Sequence, residues 1–456
     1  MLNCQISLID WWNKMKSVFL RPWKIVIGYM LITLSMFLFG PWIYKSENRI
    51  GLILYLTLFA FCSSLAYRKG VSRALKHSMY ITDPKDDNLD YLYESGVISP
   101  RKLNLLVFVF AIVSTVIFGL GFMKNGVPTG GSIVANMASA YSTVQSTASS
   151  GRDVPLWIFE NFSFIIYFAM ILGFAYYKKL PHLTKSLLIY ATVILSLYFM
   201  LYRGQQKQFG DIVIVIASAL LLNISWGNIK IEISKKFWLI VLIITVVLFF
   251  SSVLSGRLIM MNKNMYTLSQ GVTSQLNPNS LLFKILPEEI SLGFAFFIYY
   301  ISHGYQGLAL CLQQPFVWTR FLGSCSAVTT LLERYLSIDT SIILQTYPMR
   351  TELATGWSAT ATWHTIFPWL ASDFTFAGAI VILSIGAYMY GICWVECIIE
   401  KKWQSIILFT VFNIQWFYMV ANNQLFTLKS TLMVVIFAVF FWAIRRIKFK
   451  FGNITL

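Results

Sequence analysis

Apolar runs long enough to cross a membrane make up most of this chain, and they restrict its fold more than any other feature. A transmembrane helix needs about 20 consecutive apolar residues. Of the residues, 57% are hydrophobic and 12% are charged, whereas soluble domains carry about 25% charged residues. The sequence therefore predicts an all-α polytopic membrane protein of about ten to twelve transmembrane helices, forming one transmembrane domain over residues 1–456. The ten apolar segments are roughly 25–44, 50–67, 103–123, 155–177, 186–202, 210–226, 237–254, 376–399, 404–421 and 425–443.

The positive charge alternates between the loops, and this alternation predicts the orientation of the chain. Nearly two thirds of the 36 Lys and Arg residues lie in the N-terminal segment, in 68–102, in short connections further along and in the C-terminal tail. Short cytoplasmic loops of membrane proteins are enriched in these residues. We therefore expect both termini in the cytoplasm, and we read the net charge of +17 as a topology signal with no implication of nucleic-acid binding.

One long segment, 255–375, interrupts the apolar pattern and falls on the opposite, periplasmic side in this assignment. Within it, residues 290–312 are apolar but broken at His303 and Gly304. A full crossing here would reverse the charge pattern of the following loops. We therefore expect interfacial or re-entrant helices in this loop, and we expect the loop to carry the active site.

Two arginines stand at the predicted outer ends of membrane segments, where topology does not favour positive charge. Arg203 follows the fifth segment and precedes Gly204, and Arg257 follows the seventh segment and Gly256. Arginine can bind phosphate oxygens with two parallel N–H bonds. The alternative is that each side chain extends toward lipid headgroups. The repeated arrangement favours phosphate binding.

The large loop supplies the other candidate residues. His303 and Tyr305 are candidates for binding a phosphate or a sugar hydroxyl, and His303 alternatively caps the break in its segment. Trp357, His364 and Asp373 belong to a stretch rich in tryptophan and threonine, which is typical of a carbohydrate platform or of an interfacial aromatic belt.

Some of these loop residues have a structural alternative. Asp373 and His364 are the candidate general bases, and Asp373 alternatively caps the next helix. Arg350 is a candidate ligand for the substrate, or the ion-pair partner of Glu352.

Motifs for several other chemistries are missing from the sequence. There is no P-loop, no glycine-rich dinucleotide motif, and no HExxH or CxxC spacing, so we expect no nucleotide, metal or other cofactor. Cys311 and Cys325 both lie in the large loop, where a disulfide between them is an open alternative.

Two segments of the loop resemble a known family. Residues 299–308 (YYISHGYQGL) and 369–378 (WLASDFTFAG), together with the layout of the membrane segments, are similar to the oligosaccharide repeat-unit, or O-antigen (Wzy-type), polymerases. The layout covers most of the chain, but both motifs are short. Ser372 stands where the family pattern places a glutamate, eight residues after His364.

The resemblance implies a fold related to the glycosyltransferase-C enzymes and the O-antigen ligases. It implies a metal-independent glycosyltransferase of lipopolysaccharide biosynthesis, located in the bacterial inner membrane. Its substrates would be undecaprenyl-pyrophosphate-linked oligosaccharides, in contact with membrane lipid. Outer-face arginines would hold the pyrophosphate, which matches Arg203 and Arg257. A chain-length regulator and a flippase of the same pathway would be partners.

Three functions remain in competition at this point. A polymerase transfers the growing glycan onto the next repeat unit, and a ligase of the same architecture uses a different acceptor. A flippase for lipid-linked oligosaccharides is the non-enzymatic alternative. Such a transporter would place its charges in a central cavity at mid-membrane and would show internal repeats, which are not visible in this sequence.

Overall fold

The computed structural model is an all-α bundle with two short pairs of strands. It describes residues 2–45, 48–81, 97–126, 136–137, 139–140, 153–229, 241, 245, 247–253, 274–446, 450–451 and 454–455. In the first half of the chain the elements are α1 (Leu2–Phe39), β1 (Trp42–Tyr44), α2 (Arg49–Ile81), α3 (Pro100–Asn125), α4 (Val154–Ala175), α5 (His182–Leu197), a π-helical turn (Tyr198–Tyr202) and α6 (Lys207–Ser225).

The second half alternates short and long elements. They are β2 (Ser274–Leu276), α7 (Leu281–Ile285), α8 (Glu288–Ser302), α9 (Gly304–Cys311), α10 (Ser326–Leu336), α11 (Tyr347–Thr355), α12 (Ile366–Ile399), α13 (Trp403–Tyr418), α14 (Gln424–Thr427), α15 (Lys429–Ile444), β3 (Lys450–Phe451) and β4 (Ile454–Thr455). Strands β3 and β4 pair with each other near the C-terminus.

Seven helices of the described chain are long and apolar enough to cross a membrane, which agrees with a polytopic membrane protein. They correspond to the first six predicted segments and to α12. The predicted segments 404–421 and 425–443 form helices of 16 residues each, α13 and α15. The predicted segment 237–254 lies largely outside the described residues, although 247–253 are helical.

The most extensive helix–helix contact of the bundle is between α2 and α12, and small residues make it possible. A side chain at Gly70 would meet the carbonyl of Tyr388, and one at Gly391 would come within 2.6 Å of the Tyr67 carbonyl. Glycine allows two membrane helices to approach until their backbones touch. Trp23 of α1 then packs on this pair, with its ring 5.3 Å from that of Tyr67.

Helices α3, α4 and α5 form a second group, and α4 connects it to the C-terminal helices. Gly121 of α3 faces the ring of Tyr198, and Gly173 of α4 faces Leu188 of α5. Phe164 of α4 stacks on Phe437 of α15, with the ring centroids 4.1 Å apart.

Most of the predicted cytoplasmic loops meet at one end of this bundle, which we call the basic end. Tyr176 donates a hydrogen bond to the Lys401 carbonyl at 2.8 Å, and Trp226 donates one to the Cys397 carbonyl at 2.9 Å. Arg445 and Arg446 both donate to the buried carboxylate of Glu396. The structure thus separates the basic connections from the large loop, as the charge pattern predicts. Which side is cytoplasmic stays a prediction.

The large loop folds over the opposite end, which we call the loop end. Strand β2 pairs antiparallel with β1, so the start of the described loop is joined to the segment that leaves α1. Trp42 of β1 donates from Nε1 to the Ala295 carbonyl of α8 at 2.7 Å. The loop is therefore attached to the bundle at its base.

The apolar stretch 290–312 does not form a single long helix. It is divided at His303 into α8, with 15 residues, and α9, with 8. The Tyr305 hydroxyl lies 2.9 Å from the Thr33 hydroxyl, six residues before the end of α1 at Phe39. At 1.5 Å per residue, this contact is about 9 Å below the end of that helix. The segment therefore reaches into the bundle from the loop end. That it is re-entrant stays a prediction.

Helix α12 changes direction at Thr375, whose backbone has φ 65° and ψ 166°. Phe367, before the bend, packs against Phe59, while Tyr55 donates a hydrogen bond to the Phe376 carbonyl just after it. The Thr375 hydroxyl accepts a hydrogen bond from Gly378 N–H at 3.2 Å and so caps the second part of the helix. The bend leaves the 366–374 part at the loop end, beside the candidate site.

Candidate functional site

Residues 419–423, which follow α13, are the point where the loop-end segments meet. The Met419 carbonyl accepts a hydrogen bond from Ile366 N–H at 2.9 Å, and the Ala421 carbonyl accepts one from Thr365 N–H at 2.8 Å. Gly304 packs directly against the carbonyls of residues 420 and 421, where a larger residue would not fit. The first segment that resembles the polymerases is thus brought against the start of α12, the helix that carries the second segment.

His303 is held by its neighbours on both sides of its ring. Its Nδ1 lies 2.6 Å from the Tyr299 carbonyl, and its Nε2 accepts a hydrogen bond from Trp363 N–H at 2.9 Å. Burial lowers its pKa from 6.5 to about 4. Both nitrogens of the neutral ring are therefore occupied, and the side chain joins α8 to the segment before α12. This geometry fits the structural interpretation better than a role in holding phosphate.

His364 differs from His303 although it lies next to Trp363. The side chain is fully buried, and neither ring nitrogen has a partner at hydrogen-bonding geometry within the described residues. Burial, with a smaller contribution from His303, lowers its pKa to about 3, and an interaction with the Thr362 backbone offsets part of that shift. The ring is neutral at pH 7 and keeps an unused acceptor and donor.

Asp373 fixes the turn that precedes α10. Its carboxylate accepts hydrogen bonds from Ser324 N–H at 2.7 Å and Gly323 N–H at 3.3 Å, and from the Thr319 hydroxyl. It does not cap the following helix, because Thr375 does. All three hydrogen bonds go to the segment 319–324, so the carboxylate holds this part of the loop against α12.

The other predicted loop residues also make internal contacts. Arg350 donates to the carbonyls of Gln345 and Pro315 at 2.9 and 2.8 Å. It does not pair with Glu352, whose carboxylate accepts a hydrogen bond from Ala359 N–H at 2.9 Å, so the alternative of an Arg350–Glu352 pair is wrong.

Trp357 and Tyr305 are buried, and this excludes them from an exposed sugar platform. Trp357 is 2% exposed and donates from Nε1 to the Trp363 carbonyl at 3.2 Å. Tyr305 contacts α1 through its hydroxyl, as described above. Cys311 and Cys325 are both free, so the alternative of a disulfide is also wrong.

Arg203 lies at the end of the π-helical turn and forms an ion pair with Asp153, the N-cap residue of α4. The side chains are 11% and 29% exposed, respectively. The Nε atom of Arg203 is buried and makes no hydrogen bond within the described residues. Its predicted counterpart, Arg257, lies outside the described residues.

A second ion pair, in which Asp211 is buried and Lys207 is partly exposed, follows one turn later, and our sequence interpretation missed it. Lys207 Nζ lies 2.7 Å from Asp211 Oδ2, and the Tyr167 hydroxyl donates to the same oxygen. Lys207 also lies over the ring of Tyr418, 5.5 Å from its centroid. The signal was present as a Lys–Asp pair four residues apart at the start of an apolar run, because ionisable groups in such runs are usually functional.

Four buried amide side chains belong to the two segments that meet at this contact. We call them the amide cluster: Gln206, Gln208, Gln415 and Asn423. Each is buried and has at least one polar side-chain atom without a partner in the described structure, and in Gln206 and Gln415 both amide atoms are unpartnered. Buried polar groups in folded proteins are nearly always paired with protein, water or ligand. The amide cluster therefore offers donors and acceptors to a polar molecule.

Further charges surround Arg203 at the loop end. Glu160 lies within electrostatic range of Arg203, Arg334 and Lys429. Lys429 donates a hydrogen bond to Asn161 at 3.0 Å. The described residues contain no group of three or more His, Cys, Asp or Glu side chains placed to hold a metal ion.

Comparison with known proteins identifies no relative of this chain. No family model, curated protein or solved structure matches it. The similarity to the O-antigen polymerases therefore rests on the two short segments and the membrane layout alone.

Proposed function

We propose that this chain is an O-antigen polymerase, a metal-independent glycosyltransferase of the bacterial inner membrane. It would move a growing glycan from undecaprenyl pyrophosphate onto the next lipid-linked repeat unit at the periplasmic face, in a pathway with a flippase and a chain-length regulator. The observation that carries this proposal is a pair of partly buried cations, Arg203 and Lys207, on a segment that also holds buried amides without partners in the described structure.

The two cations suit a pyrophosphate leaving group. Charge develops on the bridging oxygen as the sugar–phosphate bond breaks, and cations fixed in a region without bulk water stabilise that charge. Arg203 now pairs with Asp153 and has a buried Nε to spare. An incoming pyrophosphate would take the place of the carboxylate and could be bound by two parallel N–H bonds.

The amide cluster suits a carbohydrate. A primary amide both donates and accepts, so it can bind a sugar hydroxyl in either direction. Gln206 and Gln208 flank Lys207, and Gln415 stands one turn before Tyr418, whose ring is in contact with Lys207. A glycan bound to these amides would have its pyrophosphate end near Lys207.

Activation of the acceptor hydroxyl is assigned to His364, with Asp373 as the less suitable alternative. His364 is neutral and has two unused nitrogens, whereas all the hydrogen bonds of Asp373 go to the loop. A base with a pKa of about 3 removes protons weakly at pH 7. Most of the acceleration would then come from positioning and from stabilisation of the leaving group.

One observation favours the flippase as a second candidate. Asp211 accepts a hydrogen bond from Tyr167, which is 13 residues into α4, or about 20 Å from the start of that helix. A charged pair at this depth is what a transport cavity at mid-membrane would contain. A ligase shares the architecture and differs only in its acceptor.

Two experiments test the proposal. In a strain lacking the gene, a polymerase defect leaves one repeat unit on the lipopolysaccharide core, whereas loss of a flippase or ligase leaves none. Purified protein given a synthetic undecaprenyl-pyrophosphate repeat unit should form longer glycans in the presence of EDTA. Absence of repeat units from the core, or failure of the purified protein to elongate unless a metal is supplied, would contradict the proposal.

A further inference from the structure

A lateral groove runs between α2 and the second part of α12, on the side of the bundle away from the loop. Its volume is about 470 Å³. Ile380, Val381 and Ile385 form part of its apolar wall, and Val381 and Ile385 are 58% and 55% exposed. The groove is therefore open sideways, toward the region that lipid chains occupy around a membrane helix.

Four of the side chains that line the groove carry a charge or a hydroxyl group. Lys69 and Arg73 lie four residues apart on one face of α2, and Ser384 and Tyr388 lie four residues apart on α12. Arg73 donates a hydrogen bond from Nη1 to the Tyr388 hydroxyl at 2.9 Å, which holds its guanidinium against the groove. The Ser384 hydroxyl oxygen is buried and has no partner in the described structure.

The cations of the groove lie one membrane thickness away from the loop end, at the depth of a membrane interface. Lys69 is 20 residues beyond Arg49, the first residue of α2, which amounts to about 30 Å of helix. The hydrocarbon core of a bilayer is also about 30 Å thick. Tyr388 is 13 residues beyond Thr375, or about 20 Å from the bend at the loop end. The cations therefore belong to the basic end and cannot serve the site around Arg203.

We propose that this groove binds an anionic phospholipid of the leaflet at the basic end. Lys69 and Arg73 hold its phosphate, with the Ser384 and Tyr388 hydroxyls as hydrogen-bond partners. One acyl chain lies along the apolar wall that includes Ile380 and Ile385. Charge complementarity favours this occupant over an apolar helix of another protein, which would leave two cations without a counter-ion. The inference does not depend on the proposed enzymatic activity.

Binding of phosphatidylglycerol and phosphatidylcholine to the full-length protein tests the proposal, measured by native mass spectrometry from detergent. We expect phosphatidylglycerol to bind the wild type much more tightly than phosphatidylcholine does. The double variant Lys69→Gln/Arg73→Gln should bind phosphatidylglycerol roughly 30-fold more weakly, because each cation contributes about a factor of five near an anionic lipid. Equal binding by this variant and the wild type would overturn the proposal.

A matched control and a second variant separate the groove from general surface charge. Arg68→Gln/Arg101→Gln removes two exposed cations of the basic end that do not line the groove, and it should bind like the wild type. Ser384→Phe fills the groove and keeps both cations, and it should lose phosphatidylglycerol. If the control loses as much binding as the groove variant, or if Ser384→Phe binds normally, the lipid is attracted by the surface and the proposal is wrong.

Discussion

Two regions at the loop end carry polar side chains, and they differ in how those side chains are paired. In the anchored region, defined by His303, Arg350 and Asp373, most of the hydrogen bonds of these side chains go to backbone groups. In the region of Lys207 and the amide cluster, several buried atoms have no partner within the described structure. Paired groups stabilise the loop, whereas unpaired groups are available to a ligand. Of the residues that the sequence singles out, His303, Arg350 and Asp373 are thus the less suitable for chemistry.

Breaking the Lys207–Asp211 pair should have the largest effect. Removing one partner leaves an uncompensated buried charge, so Lys207→Met or Asp211→Asn should lower the free energy of unfolding by about 3–5 kcal/mol. The double variant Lys207→Met/Asp211→Asn leaves no unpaired charge, and its asparagine oxygen can still accept the hydrogen bond from Tyr167. It should therefore recover most of the lost stability. Thermal unfolding in detergent measures both.

Activity of the same double variant decides whether the pair is functional. If Lys207 contacts the pyrophosphate, the double variant should be stable yet at least about a hundredfold less active, as for loss of one charged donor to a developing anion. Polymerisation per folded molecule is the measurement. Wild-type activity in the double variant would show that the pair only stabilises the bundle.

Asp373→Asn tests the anchored region. Asparagine keeps one acceptor oxygen but turns an NH₂ group toward backbone N–H donors, so roughly 3 kcal/mol of stability should be lost. Activity per folded molecule should remain near wild type. Glu352→Gln is the matched control, because Glu352 accepts one part-buried N–H, and it should cost about 1 kcal/mol. Normal stability of Asp373→Asn with no activity would instead identify Asp373 as the base.

Arg203→Lys tests whether Arg203 binds the pyrophosphate. Lysine can still pair with Asp153, so insertion and abundance should be normal, but it lacks the two parallel donors of arginine. We expect about a hundredfold loss of polymerisation.

Arg350→Lys is the comparison for this variant, since Arg350 binds the carbonyls of Gln345 and Pro315 in the anchored region. Lysine at position 350 should lower the stability of the protein and leave the rate of polymerisation per folded molecule unchanged. Full activity of Arg203→Lys would support the alternative that Arg203 extends toward lipid headgroups.

The sequence predicted the membrane helices and the break at His303 because both depend on local pattern. Apolar runs of span length define α2 to α6, and the glycine after His303 interrupts the run in 290–312. The hydrogen-bond partners of the candidate side chains could not be predicted in this way. The partner of His303 is 60 residues away, and the Tyr418 hydroxyl contacts the backbone of Lys207 across 211 residues. Local pattern identifies a residue that is able to bind substrate, but not whether distant backbone already occupies it.

The smallest expected effect concerns pH and the histidine of the anchored region. His303 has a folded-state pKa of about 4, below its ordinary value of 6.5, so the unfolded chain binds a proton more readily. Its contribution to stability is therefore complete above pH 6.5 and is lost as the pH falls toward 4. Between pH 6.5 and pH 5 this loss amounts to about 2 kcal/mol. His303→Gln should be less stable at pH 7 but should lose less further stability on acidification. Unfolding temperatures of both proteins from pH 7 to pH 5 measure the difference. Parallel curves would mean that the ring titrates alike in the folded and unfolded chains, which is incompatible with a ring held by the Tyr299 carbonyl and Trp363 N–H.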